Sequence, residues 1–345
     1  MTTYFVSKPE LAKLVRRKEQ PTLLPVGAGR SGGPQASGGE PPLEVLSQPR
    51  IAQNPKGFFF PSAESVGRYG PGAAATAVQA EPVVLMGLRG CELRALKYLD
   101  KVLLGGEFQD PIYGARREAM TIVSVDCVDC RQTCFCTLVG GQPFAAEGFD
   151  VNLSPMEAGF LAEVATDRGR QWLGGAEGID LAEATAEQLA RRDRRRKEVA
   201  ERVASQNSRF TFVAADDRKP ALPDDGDASW QKFAADCVEC AACTNVCPTC
   251  HCFYLYDQVL GAEAFERVRT WDSCLLSSYH RMAGTPNMKP TPRPELRSRL
   301  ANRVLHKFSY SPEQYGLLGC VGCGRCIEAC LGAIDIRDVV QELSS

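Results

Sequence analysis

The sequence predicts an α+β protein, with an N-terminal α/β domain over residues 1–225 followed by a mostly helical domain at 226–345. Three observations predict it. Two short apolar runs, Val83-Val84-Leu85-Met86 and Ile122-Val123-Ser124-Val125, flank a helical stretch carrying Leu93, Leu96, Leu99 and Leu103. That strand–helix–strand order is the signature of a parallel pair. The segment 219–227 (KPALPDDGD) holds two prolines, a glycine and three acidic residues, and reads as a linker that places the boundary near residue 225. Beyond it, the spacing C-x2-C-x2-C-x3-C occurs twice, at Cys237, Cys240, Cys243 and Cys247 and at Cys320, Cys323, Cys326 and Cys330.

Taken in order, residues 4–18 read as a short amphipathic helix, and Pro21 to Pro42 as a loop rich in Gly, Pro and Ser. That loop contains Gly27-Ala28-Gly29-Arg30-Ser31-Gly32, a literal G-x-G-x-x-G. A dinucleotide fingerprint needs a helix to open at those glycines, and Gly33-Pro34 followed by Gly38-Gly39 is poor helix sequence. The α/β unit follows from Pro82. Residues 157–172 and 181–206 read as mostly helical, and Arg191 to Lys197 as a solvated charged face, with a docking surface for an acidic partner as the alternative reading. In the second domain, 72 residues separate Cys247 from Cys320, and Ala262 to Arg269 reads as part of a helix there.

A chain of 345 residues has length for two cores. Its net charge of -2 gives no electrostatic reason to expect a nucleic-acid partner. No apolar stretch approaches the roughly 18 residues that cross a bilayer, and the first 20 residues lack a signal-peptide core. Sixteen cysteines, spaced as C-x2-C and C-x-C, read as metal ligands held reduced. A cytoplasmic location is the expectation. No Ser-His-Asp pattern, Walker loop or H-E-x-x-H helix is present.

The doubled run has the ligand spacing of a bacterial-type ferredoxin with two clusters, in which the fourth cysteine of each run ligates the other run's cluster. The second domain is therefore expected to hold two 4Fe–4S clusters on Cys237, Cys240, Cys243, Cys247, Cys320, Cys323, Cys326 and Cys330. Cross-ligation by Cys247 and Cys330 is an inference from the motif, because the long interval does not enforce it.

Eight cysteines lie outside the runs. Cys91 sits at the turn after the first predicted strand and Cys127 at the end of the next, with Cys134-Phe135-Cys136 in the loop beyond. Adjacent parallel strands bring their carboxyl ends to one edge. A third cluster on Cys91, Cys127, Cys134 and Cys136 is the preferred reading; Cys130 could replace any of them, and a structural zinc is the alternative. Cys250, Cys252 and Cys274 could hold a fourth cluster if a histidine, carboxylate or small ligand completes it. Alternatively, they pack near the first cluster and tune it.

Further segments carry a resemblance to a known family. They are Asn54 to Glu64 (NPKGFFFPSAE), Gly87 to Leu96 (GLRGCELRAL) with Leu99-Asp100, Asp110-Pro111-Ile112-Tyr113 with Arg116-Arg117-Glu118, Cys134-Phe135-Cys136, Cys247 to Phe253 (CPTCHCF), Trp271-Asp272-Ser273-Cys274 and Leu305 to Tyr310 (LHKFSY). With these, the chain resembles the iron–sulfur beta subunit of the cytosolic sulfhydrogenases, the sulfur-reducing NiFe hydrogenases, and the corresponding iron–sulfur subunit of the anaerobic sulfite reductase. The resemblance implies a subunit that relays electrons between a flavin subunit using NAD(P)H and a separate catalytic subunit, and that is not catalytic alone. It carries over the eight cysteines of the runs and supports Cys91, Cys127, Cys134, Cys136, Cys250, Cys252 and Cys274 as family positions, leaving Cys130 outside. Departures are Leu331, where proline usually follows the second run, and Ala241, where glycine is common. Open alternatives are a heterodisulfide-reductase-like complex, a zinc-stabilised binding protein, and an enzyme whose centre is a cluster near Cys250, Cys252 and Cys274. Structural zinc usually splits its four ligands two and two, which the doubled run does not.

Overall fold

The computed structural model describes residues 2–16, 22–23, 43–50, 54–70, 80–174, 181–212, 214–282 and 291–344. Residues 24–42, with the G-x-G-x-x-G run, lie outside the described residues. Its larger sheet has seven strands: β1 (Thr2–Ser7), β2 (Thr22–Leu23), β4 (Val83–Leu88), β5 (Met120–Val125), β6 (Val151–Pro155), β7 (Gly159–Val164) and β8 (Ala182–Glu183). Their spatial order is β2-β4-β5-β6-β7-β1-β8. β2, β4, β5 and β6 run parallel, and β7, β1 and β8 continue antiparallel. Strand β4 is buried on both faces, which explains its unbroken apolar run. Val84 and Met86 enter one core with Leu11, Leu14 and Trp172. Leu85 and Leu88 enter another with Leu93, Leu96 and Leu99 of the helix Gly90–Leu104.

Several segments differ from the sequence expectation. The first helix spans only Lys8–Val15, and the residues before it form β1. Ser7 closes the strand and caps the helix through a reciprocal pair with Glu10. Residues 159–164 are strand β7 before a helix at Asp167–Gly174, because Gly159-Phe160-Leu161-Ala162 is buried between β6 and β1. The charge run also turns inward. On the helix Ala186–Gln206, Arg192 reaches Glu163 at 3.0 Å, Arg196 reaches Asp126 at 2.7 Å and Arg195 donates to the Pro155 carbonyl at 2.9 Å. Asp126 also accepts from Asn152 and Ser154. This helix is thus fastened across the polar edge of the sheet, and only part of its run is solvated.

A second, antiparallel sheet has the order β3-β10-β9, built from β3 (Ala63–Tyr69), β9 (Phe253–Val259) and β10 (Phe265–Trp271). Here the expected helix at 262–269 is replaced by strand. The Ala-Glu-Ala start favours helix, but Phe265 to Trp271 pairs along its whole length with β9 and also with β3, so long-range pairing overrides local propensity. Every residue of β9 is exposed. A further core joins Phe135, Val139 and Phe210 to Trp230, Val304 and Phe308. It draws on residues from both sides of 225, and the stretch around 219–227 that crosses between them is irregular.

Candidate metal centres

The two runs have the same backbone. Glu239 and Ala241 stand at φ 53° and 56°, and Gly322 and Gly324, two and four residues into the second run, stand at φ 66° and 73°. Each run thus makes two left-handed bends, then a single helical turn, Ala242–Asn245 or Arg325–Glu328, which carries it to its fourth cysteine. The left-handed bend explains why glycine suits position 241, and alanine there costs about 1–2 kcal/mol.

The four thiols of a run do not stay together. Cys237, Cys240 and Cys243 line one cavity with Cys330, the end of the other run, and with Cys326. Cys247, the end of the first run, adds its charge at both Cys320 and Cys326. Burial pushes the Cys320 thiol up to about 12 and the Cys326 thiol up to about 11.

At the edge of the larger sheet, the carboxyl ends of neighbours β4 and β5 deliver Cys91 and Cys127 to a second cavity, completed by Cys130, Cys134, Cys136 and Cys323. Cys130, which the spacing allowed as a substitute ligand and the family resemblance left outside, stands at this wall too; its Sγ lies 3.4 Å from Gln206 Oε1. Burial pushes the Cys136 thiol up to about 12. Arg89 fixes the sheet edge by donating to the carbonyls of Val125, Asp126, Leu46 and Gln48. Below it, Glu92 forms a buried ion pair with Arg325 of the second run.

This cavity and the second run touch through backbone. Phe135 N–H donates to the Gly322 carbonyl at 2.8 Å. A Cβ on Gly322 would lie 2.6 Å from the Cys136 backbone, and one on Gly324 would lie 2.2 Å from the Thr133 carbonyl oxygen. Both glycines are therefore needed for close approach as well as for their positive φ.

A third cavity is lined by Cys250, Cys252 and Cys274 with His251, His306, Arg303, Lys307 and Tyr98. Lys307, on the wide helical turn His306–Tyr310, is its electrostatic centre. Lys307 Nζ donates to Thr249 Oγ1 at 3.1 Å and to the Gly319 carbonyl at 3.1 Å, and lies 3.2 Å from Cys247 Sγ and 3.6 Å from Cys250 Sγ. Burial opposes the Lys307 charge, but the Cys247 and Cys250 thiolates outweigh it and hold its pKa well above the usual value. The Cys274 thiol bonds Cys252 and, helped by Tyr279, draws it down to about 6 against the effect of burial. Lys56 donates to the Cys250 carbonyl at 2.9 Å and sits 3.6 Å over the Trp271 ring, which ties the segment at 54–64 to this cavity. Burial, with His251 and Lys307 nearby, holds the His306 imidazole down at about 3.

Sequence reading did not find Lys56, Arg89, Arg303 or Lys307. A lone cation has no local pattern that separates a buried charge from a solvated one. The available signal was that Lys56, Arg89 and Lys307 each fall within a segment that carries the family resemblance.

The donor set fits clusters better than single ions. All sixteen thiols are free. The thiols line cavities, with Cys237, Cys240, Cys243, Cys326 and Cys330 around one and Cys91, Cys127, Cys130, Cys134, Cys136 and Cys323 around another. Cations buried beside them, Lys307 and Arg303 above all, suit a group that gathers negative charge.

The fold and these thiol-lined cavities define the class as an iron–sulfur protein. A family model described as a 4Fe-4S dicluster domain matches residues 236–334. Sulfhydrogenase 2 subunit beta of Pyrococcus furiosus is 33% identical over 265 residues, covering 75% of this chain and 73% of that protein. The chain belongs to the sulfhydrogenase beta-subunit family. No solved structure matches it. Among the described residues, no helix is long and apolar enough to cross a membrane.

Proposed function

We propose that this chain is the electron-relay subunit of a multisubunit oxidoreductase, carrying electrons between a flavin subunit that uses NAD(P)H and a catalytic subunit of the NiFe hydrogenase or sulfhydrogenase type. A 4Fe–4S cluster supplies a one-electron couple when bound, and the residues of this chain hold, space and tune the sites. Two clusters are assigned to Cys237, Cys240, Cys243 with Cys330, and to Cys320, Cys323, Cys326 with Cys247. A third is assigned to Cys91, Cys127, Cys134 and Cys136, and a fourth to Cys250, Cys252 and Cys274. In chain order, the division near residue 225 separates the third site from the others. Catalysis by this chain alone is not part of the reading, and cytoplasmic assembly is the expected setting.

One observation carries this proposal: Arg303 and residues of the second run link the cavities. Cys326 belongs to the second run and borders the first cavity, Cys323 borders the cavity at the sheet edge, and Arg303 borders both the first and the third. A relay needs such continuity, whereas separate structural zinc sites do not. A sulfite-reductase or heterodisulfide-reductase-like partner would use the same wiring, and co-purification under anaerobic conditions distinguishes them. The test is iron and acid-labile sulfide on anaerobically purified protein, with EPR of the dithionite-reduced state. About twelve to sixteen iron per chain supports the third and fourth sites, at about four per cluster. About eight confines the relay to the two runs. Zinc in place of iron, with no reduced-cluster signal, overturns the proposal.

A further inference from the structure

We propose that Arg303 is an electrostatic bridge between neighbouring cluster sites, donating hydrogen bonds to sulfur on more than one side and favouring an added electron on each. The inference rests on the reading that these cavities hold clusters. Arg303 lies on the helix Leu296–Leu305 and is only 5% exposed. Its side chain borders the cavity of Cys237, Cys240, Cys243 and Cys330 and also that of Cys250, Cys252 and Cys274. The groups whose electrostatics favour its charge are the sulfurs of Cys243, Cys326, Cys250 and Cys247, drawn from both runs and from the third cavity.

Two of its donors, Nε and Nη2, are buried with no acceptor. Burying such donors without partners is costly, and here they stand between two thiol-lined cavities whose sulfur could accept. Arg299, one turn earlier on the same helix, shows the ordinary solution. Its Nε donates to the Leu275 carbonyl at 2.9 Å, and its Nη2 pairs with Glu239 at 2.9 Å. Among the described residues, Arg303 has no carboxylate of this kind. A guanidinium presents its donors as a rigid fork and stays charged when buried, so one side chain can address sulfur on two sides at once. Hydrogen bonds to sulfur and local charge are what set the potentials of iron–sulfur clusters. Because one cation serves both sides, its removal should move more than one potential in the same direction, which a local packing defect at one site would not do.

The experiment uses the full chain, purified anaerobically, as wild type, Arg303→Met and Arg303→Lys. Iron content and EPR-monitored redox titration are measured for each, together with HYSCORE of reduced wild-type protein carrying 15N-labelled arginine. The expected result is wild-type iron in all three. In Arg303→Met, at least two clusters become about tenfold harder to reduce, a shift of about 59 mV for one electron. Arg303→Lys falls between, and a 15N coupling in the wild type disappears in Arg303→Lys. Full iron with unchanged potentials in Arg303→Met, or a shift confined to one cluster, overturns the inference. Should Arg303→Met lose iron, the 15N coupling decides: its absence from the wild type overturns the bridge. A wild type without iron would instead overturn the cluster reading on which the bridge rests.

Discussion

The two regions of the molecule hold their thiols by opposite means. At the sheet edge, Cys91 and Cys127 are delivered by the ends of paired parallel strands, and Arg89 ties the edge to surrounding carbonyls. In the runs, no sheet supports the cysteines. Their positions come from repeated left-handed bends at Glu239, Ala241, Gly322 and Gly324. A strand end positions a ligand through hydrogen bonds shared with its neighbour, so the scaffold tolerates changes near the thiol. A tight loop positions ligands through backbone torsions, so single residues decide whether it closes. The difference teaches where each region is vulnerable: the edge through its buried charges, the second run through Gly322 and Gly324.

The largest expected effect breaks the link between the regions. Glu92 and Arg325 form an ion pair buried beneath the sheet-edge cavity, and removing one partner of such a pair costs about 3–5 kcal/mol. Glu92→Ala should lower the denaturant midpoint accordingly; a loss below about 1 kcal/mol would mean that the pair is replaced rather than broken. Next comes Gly324→Ala, which combines a left-handed torsion with a 2.2 Å approach to the Thr133 carbonyl oxygen. It should cost about 3 kcal/mol, read in the same titration, and should release iron from the sites that meet there. The reverse change sharpens the comparison. Ala241→Gly relieves the same torsion in the first run and should stabilise by about 1 kcal/mol; a destabilised variant would show that the methyl group packs usefully. The smallest effect is expected on the exposed hairpin. Leu255 on β9 is 43% exposed, so Leu255→Ser should stay within about 0.5 kcal/mol of wild type.

The sequence made some of this legible and hid the rest for physical reasons. The cysteine runs announced themselves because metal-ligand spacing is local, and the parallel pair was visible because β4 and β5 are bounded apolar runs around an amphipathic helix. Strands β1, β7 and β10 were hidden. Tyr4-Phe5-Val6 and Phe160-Leu161-Ala162 are too short for periodicity to separate helix from strand, and β10 is decided by partners that include β3, about 200 residues away. The inward turn of Arg192 and Arg196 was hidden because their acceptors, Glu163 and Asp126, lie on other elements. The presence of Cys130 at the sheet-edge wall depends on how the 127–136 loop folds, which spacing alone does not fix.

The central claim is that the sheet edge and the runs form one wired set of iron–sulfur sites. Its most direct test is iron and sulfide counting, with reduced-state EPR, on the full-length double variant Cys134→Ala, Cys136→Ala beside the wild type. The account predicts a loss of about four iron per chain, with the signals of the two runs retained. Unchanged iron in that variant would contradict it and leave the sheet-edge thiols as structural groups outside the relay.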